Sequence, residues 1–378
     1  MSRTSNTTGA DPAFVLSRPQ RMVSASAGAT MFRSAHEAVT ALRSGRISHI
    51  VGALPFTPGA PAALWAPDSV TITQTPHEPG APATPRFDLD AALPTPQEHR
   101  QRVATAVELL ADPAHPVRKV VLARAVRAAS PEPVRAQDIL DLMVASDPLS
   151  NGFLVDLSVA GGRYRGTTLV GSSPEILVRR TGNEVLSHPL AGSARRVLDD
   201  PAADRAAAEA LLASSKDHAE HRFVTDQVGA VLRERCADVD TPAPELTSTP
   251  AMWHLGTPIT ATVPLAGPSA LELAIALHPT PAVCGTPTAA AARVIAELEG
   301  ERGFYAGAVG WCDADGNGEW MVSIRCAELA ADGTALLAYA GGGIVAESDP
   351  AAELAETTGK LQRILGPLGI TELPVGVG

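Results

Sequence analysis

Apolar residues recur at helical spacing in five segments of the chain. The clearest is TPQEHRQRVATAVELLAD, in which apolar positions three and four apart follow the capping residue Thr95 and Pro96 at the first helical position. Asp200-Pro201 opens an alanine-rich helix in the same way. Further helices are predicted from Ser215 to about Arg235, at 287–301, and in DPAAELAETTGKLQRILG (349–366).

Alternating apolar and polar positions, separated by turn residues, predict antiparallel strands elsewhere. KVVLARAV (119–126) is a short strand rich in β-branched residues. Strands joined by hairpins, with the helices in blocks, predict an α+β fold with large antiparallel sheets. The other strand segments are GGRYRGTTLVGSSPEILVRR, NEVLSHPL, GFYAGAVGWCDADGNGEWMVSIRCAEL and TALLAYAGGGIVA.

The N-terminal quarter gives weaker patterns. Residues 1–20 are predicted to be a flexible arm, and 21–378 a single domain. Within it, 28–93 reads as strands and loops, because prolines are frequent at 55–96 and suit sheet edges and loops.

Composition excludes several classes of protein. The chain has 378 residues, 45% of them hydrophobic, and a net charge of −11 with scattered basic residues, which disfavours a nucleic-acid partner. Its four cysteines show no zinc spacing and read as reduced thiols. No apolar stretch reaches a membrane span, and no signal peptide is evident, so a cytoplasmic protein is expected.

Two charged residues interrupt apolar strands. Lys119 shares a strand face with Val121 and Ala123, and Glu175 follows a proline in GSSPEILV. Taken alone, each is better explained as a side chain that reaches solvent. The functional alternative is a desolvated amine that acts as a base, and a buried carboxyl whose raised pKa lets it donate a proton.

Two helices each offer a pair of carboxylates three residues apart, in SKDHAEH and ELAET. Such pairs can hold a hard, oxygen-seeking cation, although solvated acidic faces are common. His218 and His221 lie beside the first pair and could either orient carboxylates or bind metal. The candidate ligands are Asp217, Glu220, Glu353 and Glu356.

Three further segments resemble ligand-binding motifs, two of them for an anion and one for calcium. PLAGSAR (189–195) and YAGGGIV (339–345) offer bare backbone N–H groups to an anion, and neither matches a dinucleotide or P-loop motif. Arg325 is a candidate carboxylate clamp. DADGNGE (313–319) resembles half a calcium loop, but Ile324 occupies the position that needs glutamate, so a hairpin turn is predicted there.

The order of these motifs resembles the chorismate-utilising enzymes. KVVLAR, GSSPE, PLAGSARR, SKDHAEH, MWHLGTPI, LHPTPAVCGTP, GWCDADGNGEW, IRCAEL, AGGGIV and ELAET carry the resemblance, which covers roughly 97–366. It implies one domain with two packed antiparallel sheets flanked by helices and an active site in a cleft between them. It also implies chorismate as substrate, Mg²⁺ as cofactor and, because no glutamine amidotransferase motif is present, no such subunit. A monomer is expected.

The resemblance also implies a role for each matched residue. Lys119 would activate water for attack at ring carbon C2, and Glu175 would protonate the departing C4 hydroxyl. Glu220 and Glu356 would bind Mg²⁺ directly or through water, with Asp217 and Glu353 beside them. Substrate binding would involve Gly192, Ser193, His254, His278, Ala282, Tyr305, Ile324, Arg325, Gly341, Gly342 and Gly343.

Lys119 separates activities within that family. Its ammonia-using members generally have a non-basic residue here, so a lysine favours water as nucleophile and predicts an isochorismate synthase in a siderophore, salicylate or other secondary-metabolite pathway. Ala282 and Ile324 fit that group. Tyr305 and Gly256 depart from it, which keeps a salicylate synthase as the alternative. A catalytically silent scaffold is disfavoured, because the acid, base and metal set is complete.

Overall fold

The structure is a computed structural model, and it describes residues 11–80, 85–248 and 252–373. Its helices are α1 (Ala35–Arg43), α2 (Pro96–Ala111), α3 (Ala136–Ser146), α4 (Pro201–Ala213), α5 (Ser215–Arg235), α6 (Ala270–Leu277), α7 (Thr288–Leu298) and α8 (Pro350–Leu365). Its strands are β1 (Phe14–Arg18), β2 (Arg21–Ala25), β3 (Thr30–Phe32), β4 (His49–Leu54), β5 (Ala63–Ala66), β6 (Val70–Thr73), β7 (Asp88–Leu93), β8 (Lys119–Ala129), β9 (Gly152–Asp156), β10 (Thr168–Gly171), β11 (Ile176–Thr181), β12 (Glu184–His188), β13 (Leu190–Arg195), β14 (Ala237–Asp240), β15 (Glu245–Ser248), β16 (Met252–Gly256), β17 (Ile259–Thr262), β18 (Gly285–Thr286), β19 (Ala308–Asp313), β20 (Gly318–Val322), β21 (Cys326–Leu329) and β22 (Ala335–Ile344).

The strands form two large sheets and one small sheet, and every recorded pairing is antiparallel. The first sheet runs β18-β8-β22-β21-β10-β9-β1-β2-β6, with β7 also paired to β8. The second runs β14-β17-β12-β11-β20-β19-β4-β5-β3, and the small one is β13-β16-β15. The predicted α+β fold with two large antiparallel sheets is confirmed. The small third sheet was not expected.

One apolar core lies between the large sheets, and a second covers the outer face of the first sheet. Leu16 and Phe153 of the first sheet share a cluster with Leu64 and Trp320 of the second. On the outer face, the first sheet packs with α3 and α8. Alternate residues of its strands therefore face different cores, which explains why β8 is buried on both sides.

The five predicted helices are present, and the two with predicted N-terminal caps begin there. Thr95 and Glu98 form a reciprocal capping box at the start of α2, and Asp200 caps α4 through two backbone N–H groups. The helix predicted at 287–301 is shorter. Helices α1, α3 and α6 were not predicted, although Ala38, Ala41 and Leu42 of α1 have helical spacing.

The prediction of a flexible arm at 1–20 is wrong for its second half. Strand β1 is paired between β9 and β2, and four of its five residues are buried. Phe14 and Leu16 join the core between the sheets, while Val15 faces the other core. Five residues hold too little pattern to reveal a central strand when one of its two partners, β9, lies far along the chain. Residues 1–10 lie outside the described residues.

The predicted hairpin at 313–319 is confirmed. It joins β19 to β20, and Asp313 accepts hydrogen bonds from the backbone N–H and side-chain amide of Asn317 at 2.8 and 3.0 Å.

Within the described ranges no helix is long and apolar enough to cross a membrane.

Candidate active site

A pocket of about 350 Å³ gathers the predicted functional residues from elements far apart in the sequence. Strand β22 supplies its glycine floor, α5 and α8 supply carboxylates, and the segments before β11 and β21 supply an acid and an arginine. The predicted residues that line it are Glu175, Gly192, Ser193, Asp217, Glu220, His254, Ala282, Tyr305, Ile324, Arg325, Gly341, Gly343, Glu353 and Glu356.

Lys119 lies directly behind this lining. It begins β8, an interior strand of the first sheet, and its side chain is 1% exposed. Its Nζ donates to Oε1 of Glu220 at 2.8 Å, and Glu220 faces the pocket. The solvent-facing alternative is therefore excluded for this lysine, and its amine is held within reach of the pocket by a carboxylate.

Glu175 is buried at the pocket wall, where its residue is 4% exposed. Its carbonyl accepts from the N–H of Val322, which anchors the segment to the second sheet. Burial raises the pKa of its carboxyl to about 8, against the opposing effects of Lys119 and Arg325. Glu175 can therefore hold a proton at neutral pH and release it to a leaving group.

Arg325 is held in a demanding conformation at the same wall. Its φ is +50°, in the left-handed region that non-glycine residues rarely adopt. Its Nη2 donates to Nε2 of His254 at 3.4 Å. Burial and then the neighbouring Arg325 lower the pKa of His254 to about 3, so this imidazole is neutral and accepts the hydrogen bond.

The carboxylates of α5 and α8 line the same pocket, but they are not arranged as a set of metal ligands. No group of three or more His, Cys, Asp or Glu side chains in the described part of the chain is arranged to hold a metal ion. Glu220 is paired with Lys119, and Glu356 with Lys360 at 2.7 Å. Glu353 accepts from Ser348 through Oε1, while its buried Oε2 has no partner in the structure.

The two histidines beside the first carboxylate pair are engaged elsewhere. His221 Nε2 lies 2.7 Å from Thr257 Oγ1, and burial lowers its pKa to about 4. His218 Nε2 lies 2.8 Å from the carbonyl oxygen of Leu212. The potential metal ligands that α5 and α8 present to the pocket are thus carboxylate oxygens, and oxygen ligands suit Mg²⁺ better than zinc.

Glycines on β22 create the space for this chemistry. A Cβ placed on Gly342 would come 2.9 Å from Oε2 of Glu353. One placed on Gly343 would come 2.9 Å from Cε of Lys119 and 3.0 Å from Oε1 of Glu220. Any side chain here would push the ion pair apart.

We expect Gly343→Ala to lower kcat by about tenfold or more, because displacing a reacting group by a fraction of an ångström is costly. Gly359→Ala on α8 is the matched control, since a Cβ there meets nothing within 4 Å and alanine favours a helix. Steady-state kinetics and thermal unfolding of both variants check this. Equal kcat values in the two variants would contradict it.

Two predicted substrate-site residues, His278 and Gly342, are not among the lining residues, and three polar side chains that line the pocket were missed. His278 is buried with Nε2 3.1 Å from the carbonyl oxygens of Pro55 and Phe56, so the expectation that it lies in the pocket wall is wrong. It is held by the loop after β4. The missed residues are Lys216, Tyr339 and Lys360.

Sequence signals for two of the missed residues existed. Tyr339 alternates with Gly341 and Gly343 on β22, so the three share a face. Its ring stacks on Tyr305 with centroids 5.1 Å apart. Lys360 follows Glu356 by one helical turn, and its Nζ also donates to the carbonyl of Gly341 at 2.8 Å.

Size alone does not identify the site. A groove of about 880 Å³ lies between the β1–β2 hairpin and strands of the second sheet, lined by Arg18, Arg21 and Arg179. It contains none of the predicted acid, base or metal-binding residues. The smaller pocket is the one where perturbed groups converge.

An α+β fold whose pocket gathers a glutamate of raised pKa, a buried lysine behind the lining, an arginine and facing carboxylates has the groups that an enzyme needs for acid–base catalysis. Comparison with known protein families gives a match over residues 63–369, to the family described as chorismate binding enzyme. The chain belongs to that family.

Its relatives have consistent names. A Mycobacterium tuberculosis protein provisionally named isochorismate synthase MenF is 49% identical over 96% of this chain and 97% of its own. The isochorismate synthase EntC of Escherichia coli is 41% identical over 85% of this chain and 81% of its own. Isochorismate synthase DhbC of Bacillus subtilis is 40% identical, over 86% and 81%.

Solved structures agree on the fold. A Bacillus anthracis protein, DhbC, provisionally named as a 2,3-dihydroxybenzoate-specific isochorismate synthase, has a TM-score of 0.85 with 35% identity, covering 96% of this chain and 97% of that one. Anthranilate synthase component I of Streptococcus pneumoniae has a TM-score of 0.72 at 19% identity, covering 96% and 95%. At that identity, the likeness concerns the fold alone.

Proposed function

We propose that this protein is an isochorismate synthase, an isomerase that converts chorismate to isochorismate. The observation that carries the proposal is the placement of two groups at one pocket: Glu175 lines it, and Lys119 lies behind the lining, paired with Glu220. Burial raises the pKa of Glu175 to about 8, which favours its protonated form at neutral pH. Hydroxyl exchange on a ring needs one group that accepts a proton and one that donates a proton.

In the proposed reaction, Lys119 takes a proton from water as the water oxygen bonds to C2. The ring double bond shifts, the C4–O bond breaks, and Glu175 supplies the proton that lets the hydroxyl leave as water. The product is an isomer of the substrate. Lys119 then carries one proton more and Glu175 one proton fewer, and exchange with solvent resets both.

The substrate's carboxylates require positive partners in a protein of net charge −11. Arg325 is proposed to clamp the enolpyruvyl carboxylate, beside Tyr305 and the pocket-lining glycines Gly341 and Gly343, with Gly342 between them in β22. Gly192 and Ser193, which line the pocket where Ser193 pairs with His254 between β13 and β16, are proposed to hold the ring carboxylate. Ala282 and Ile324 complete the apolar wall.

Mg²⁺ is proposed as the cofactor, held by Glu220 and Glu356 with Asp217 and Glu353 beside them. The unpartnered, buried Oε2 of Glu353 supports this, because a carboxylate oxygen without a donor is costly unless a cation meets it. When bound, the ion would stabilise negative charge on the ring carboxylate.

We expect Glu353→Gln to weaken Mg²⁺ binding by about 10- to 100-fold, the range typical for losing a supporting metal ligand. Titration calorimetry with Mg²⁺ alone measures this without substrate. Glu347→Gln, an exposed position before α8, is the matched control. Unchanged affinity in Glu353→Gln would remove Glu353 from the site.

The product assay tests the function directly. The protein is incubated with chorismate and Mg²⁺ in ¹⁸O-labelled water, and the products are separated by chromatography and weighed by mass spectrometry. Isochorismate carrying one ¹⁸O atom and no released pyruvate is the expected result. Unlabelled product, or no conversion, would contradict the proposal.

A salicylate synthase is the second candidate, and one observation favours it. Tyr305 lines the pocket, and its hydroxyl oxygen lies only 2.9 Å from the position a Cβ on Gly341 would take, so it closely approaches the proposed enolpyruvyl site. Pyruvate release accompanied by salicylate fluorescence would select this activity.

The wider setting is proposed as well. We propose a cytoplasmic monomer that works without an amidotransferase subunit, because Lys119 favours water over ammonia. Size-exclusion chromatography coupled to light scattering tests the monomer. Delivery of the product to a catecholate siderophore pathway is proposed too; the Bacillus anthracis relative is named as specific for 2,3-dihydroxybenzoate, which is a catechol.

A further inference from the structure

Arg325 lines both the active-site pocket and a separate small cleft. The cleft, of about 40 Å³, is roughly the size of one water molecule and is bounded by Asp147, Ser172, Arg325 and Arg363, with Met143 and Ser146 at its side. Arg363 projects from α8, and Asp147 ends α3 as its C-cap residue. None of these residues except Arg325 has a role in the proposed reaction.

The charges around the cleft do not balance without Asp147. Two guanidinium groups meet there, and Nη2 of Arg363 is buried with no hydrogen-bond partner among the described residues. Burial and then Arg363 lower the pKa of Arg325 to about 10, while Asp147 raises it. The cleft lining contains one carboxylate, so Asp147 is the countercharge that lets both arginines remain close and charged.

Asp147 also reaches the segment that carries the acid. Its Oδ2 accepts from Ser172 Oγ at 2.7 Å and from Asn151 Nδ2 at 3.2 Å, while Oδ1 accepts from the N–H of Leu149 at 2.8 Å. Ser172 N–H in turn donates to the carbonyl of Arg325 at 3.0 Å. Glu175 follows three residues later.

A second line of contacts fixes the same segment. Asn151 Oδ1 accepts from Nη1 of Arg18 at 2.5 Å, and that nitrogen lies 3.5 Å from the carbonyl oxygen of Ser173. The two contacts of Asp147, to Ser172 and to Asn151, therefore act on one short stretch before Glu175.

We propose that Asp147 is a positioning residue for the reaction: its carboxylate keeps Arg325 directed at the substrate carboxylate and, through Ser172, fixes the segment that carries Glu175. The inference deepens the proposed function and rests on it. It assigns two separable effects to one side chain, substrate affinity through Arg325 and proton transfer through Ser172.

The experiment compares Asp147→Asn, Ser172→Ala and the control Asp138→Asn, which makes the same change at the start of the same helix. Asp147→Asn should raise KM for chorismate about fivefold or more, since it removes the negative charge that faces the half-buried guanidinium groups of Arg325 and Arg363. Ser172→Ala keeps that charge, so it should lower kcat about tenfold with little change in KM. Asp147→Glu, which restores the charge, should recover much of the affinity.

Direct calorimetric titration with chorismate separates failure of this inference from failure of the proposed function. If the wild-type protein does not convert chorismate, the proposed function fails, and weaker chorismate binding by Asp147→Asn still supports the positioning role. If Asp147→Asn and Ser172→Ala alter only the melting temperature, with KM, kcat and chorismate affinity within twofold of the control, Asp147 is merely structural and the inference is overturned.

Discussion

Replacing Glu175 by glutamine is expected to lower kcat by about 10²- to 10⁴-fold, because the variant lacks the proton that the departing C4 hydroxyl needs. The amide has nearly the same shape, so chorismate affinity should change little. Chromatographic rate measurements and a chorismate titration separate the two effects. Retention of more than a tenth of wild-type kcat would show that another group is the acid.

The pH dependence of the wild-type enzyme gives an independent check. Only the protonated carboxyl is an acid, so kcat should fall as pH rises through the Glu175 pKa of about 8. A kcat profile that stays flat from pH 7 to 9.5 would contradict the assignment.

The same shift predicts a stability signature. The folded-state pKa of Glu175 lies above its ordinary value of 4.5, so the folded protein binds more protons than the unfolded chain between these values. The stability this gives is complete below about pH 4.5 and is lost as pH rises through about 8. Glu175→Gln needs no proton, so its melting temperature should gain relative to wild type from pH 5 to 8.5.

Replacing Lys119 by arginine is expected to lower kcat by a similar 10²- to 10⁴-fold while preserving much of the stability. Arginine can keep an ion pair with Glu220 but stays protonated, so it cannot accept a proton from water. Product formation and melting temperature are measured on the same preparations.

Lys119→Gln is the companion variant. It also removes the base, and it leaves the Glu220 carboxylate without the amine that donates to it, so it should be both inactive and less stable than Lys119→Arg. If either variant kept near-wild-type turnover, Lys119 would be a structural partner of Glu220 and water would be activated elsewhere.

Much of the fold could be predicted because its signals are local. Thr95 with Glu98, and Asp200 before a proline, mark helix starts within four residues of sequence, and these caps are present. Strand β1 could not be predicted in this way. Its five residues become a central strand only because β9 pairs with the edge that β2 leaves open, and β9 lies far along the chain.

The candidate site divides in the same manner. The sequence placed Asp217 and Glu220 on one helical face and Glu353 and Glu356 on another, and all four line the pocket. His278 was misplaced because no local pattern reveals that its ring meets the carbonyls of Pro55 and Phe56.

By itself, the sequence determined the motifs, their order and the family they indicate, since each motif is a few adjacent residues with a fixed spacing. Tertiary structure decided what these residues can do. Burial, which no single segment reveals, gives Glu175 its raised pKa, and a contact between β8 and α5 gives Lys119 its carboxylate partner. The place of Asp147 behind Arg325 was likewise decided only by packing, because α3, α8 and the strand ends converge there in space and not along the chain.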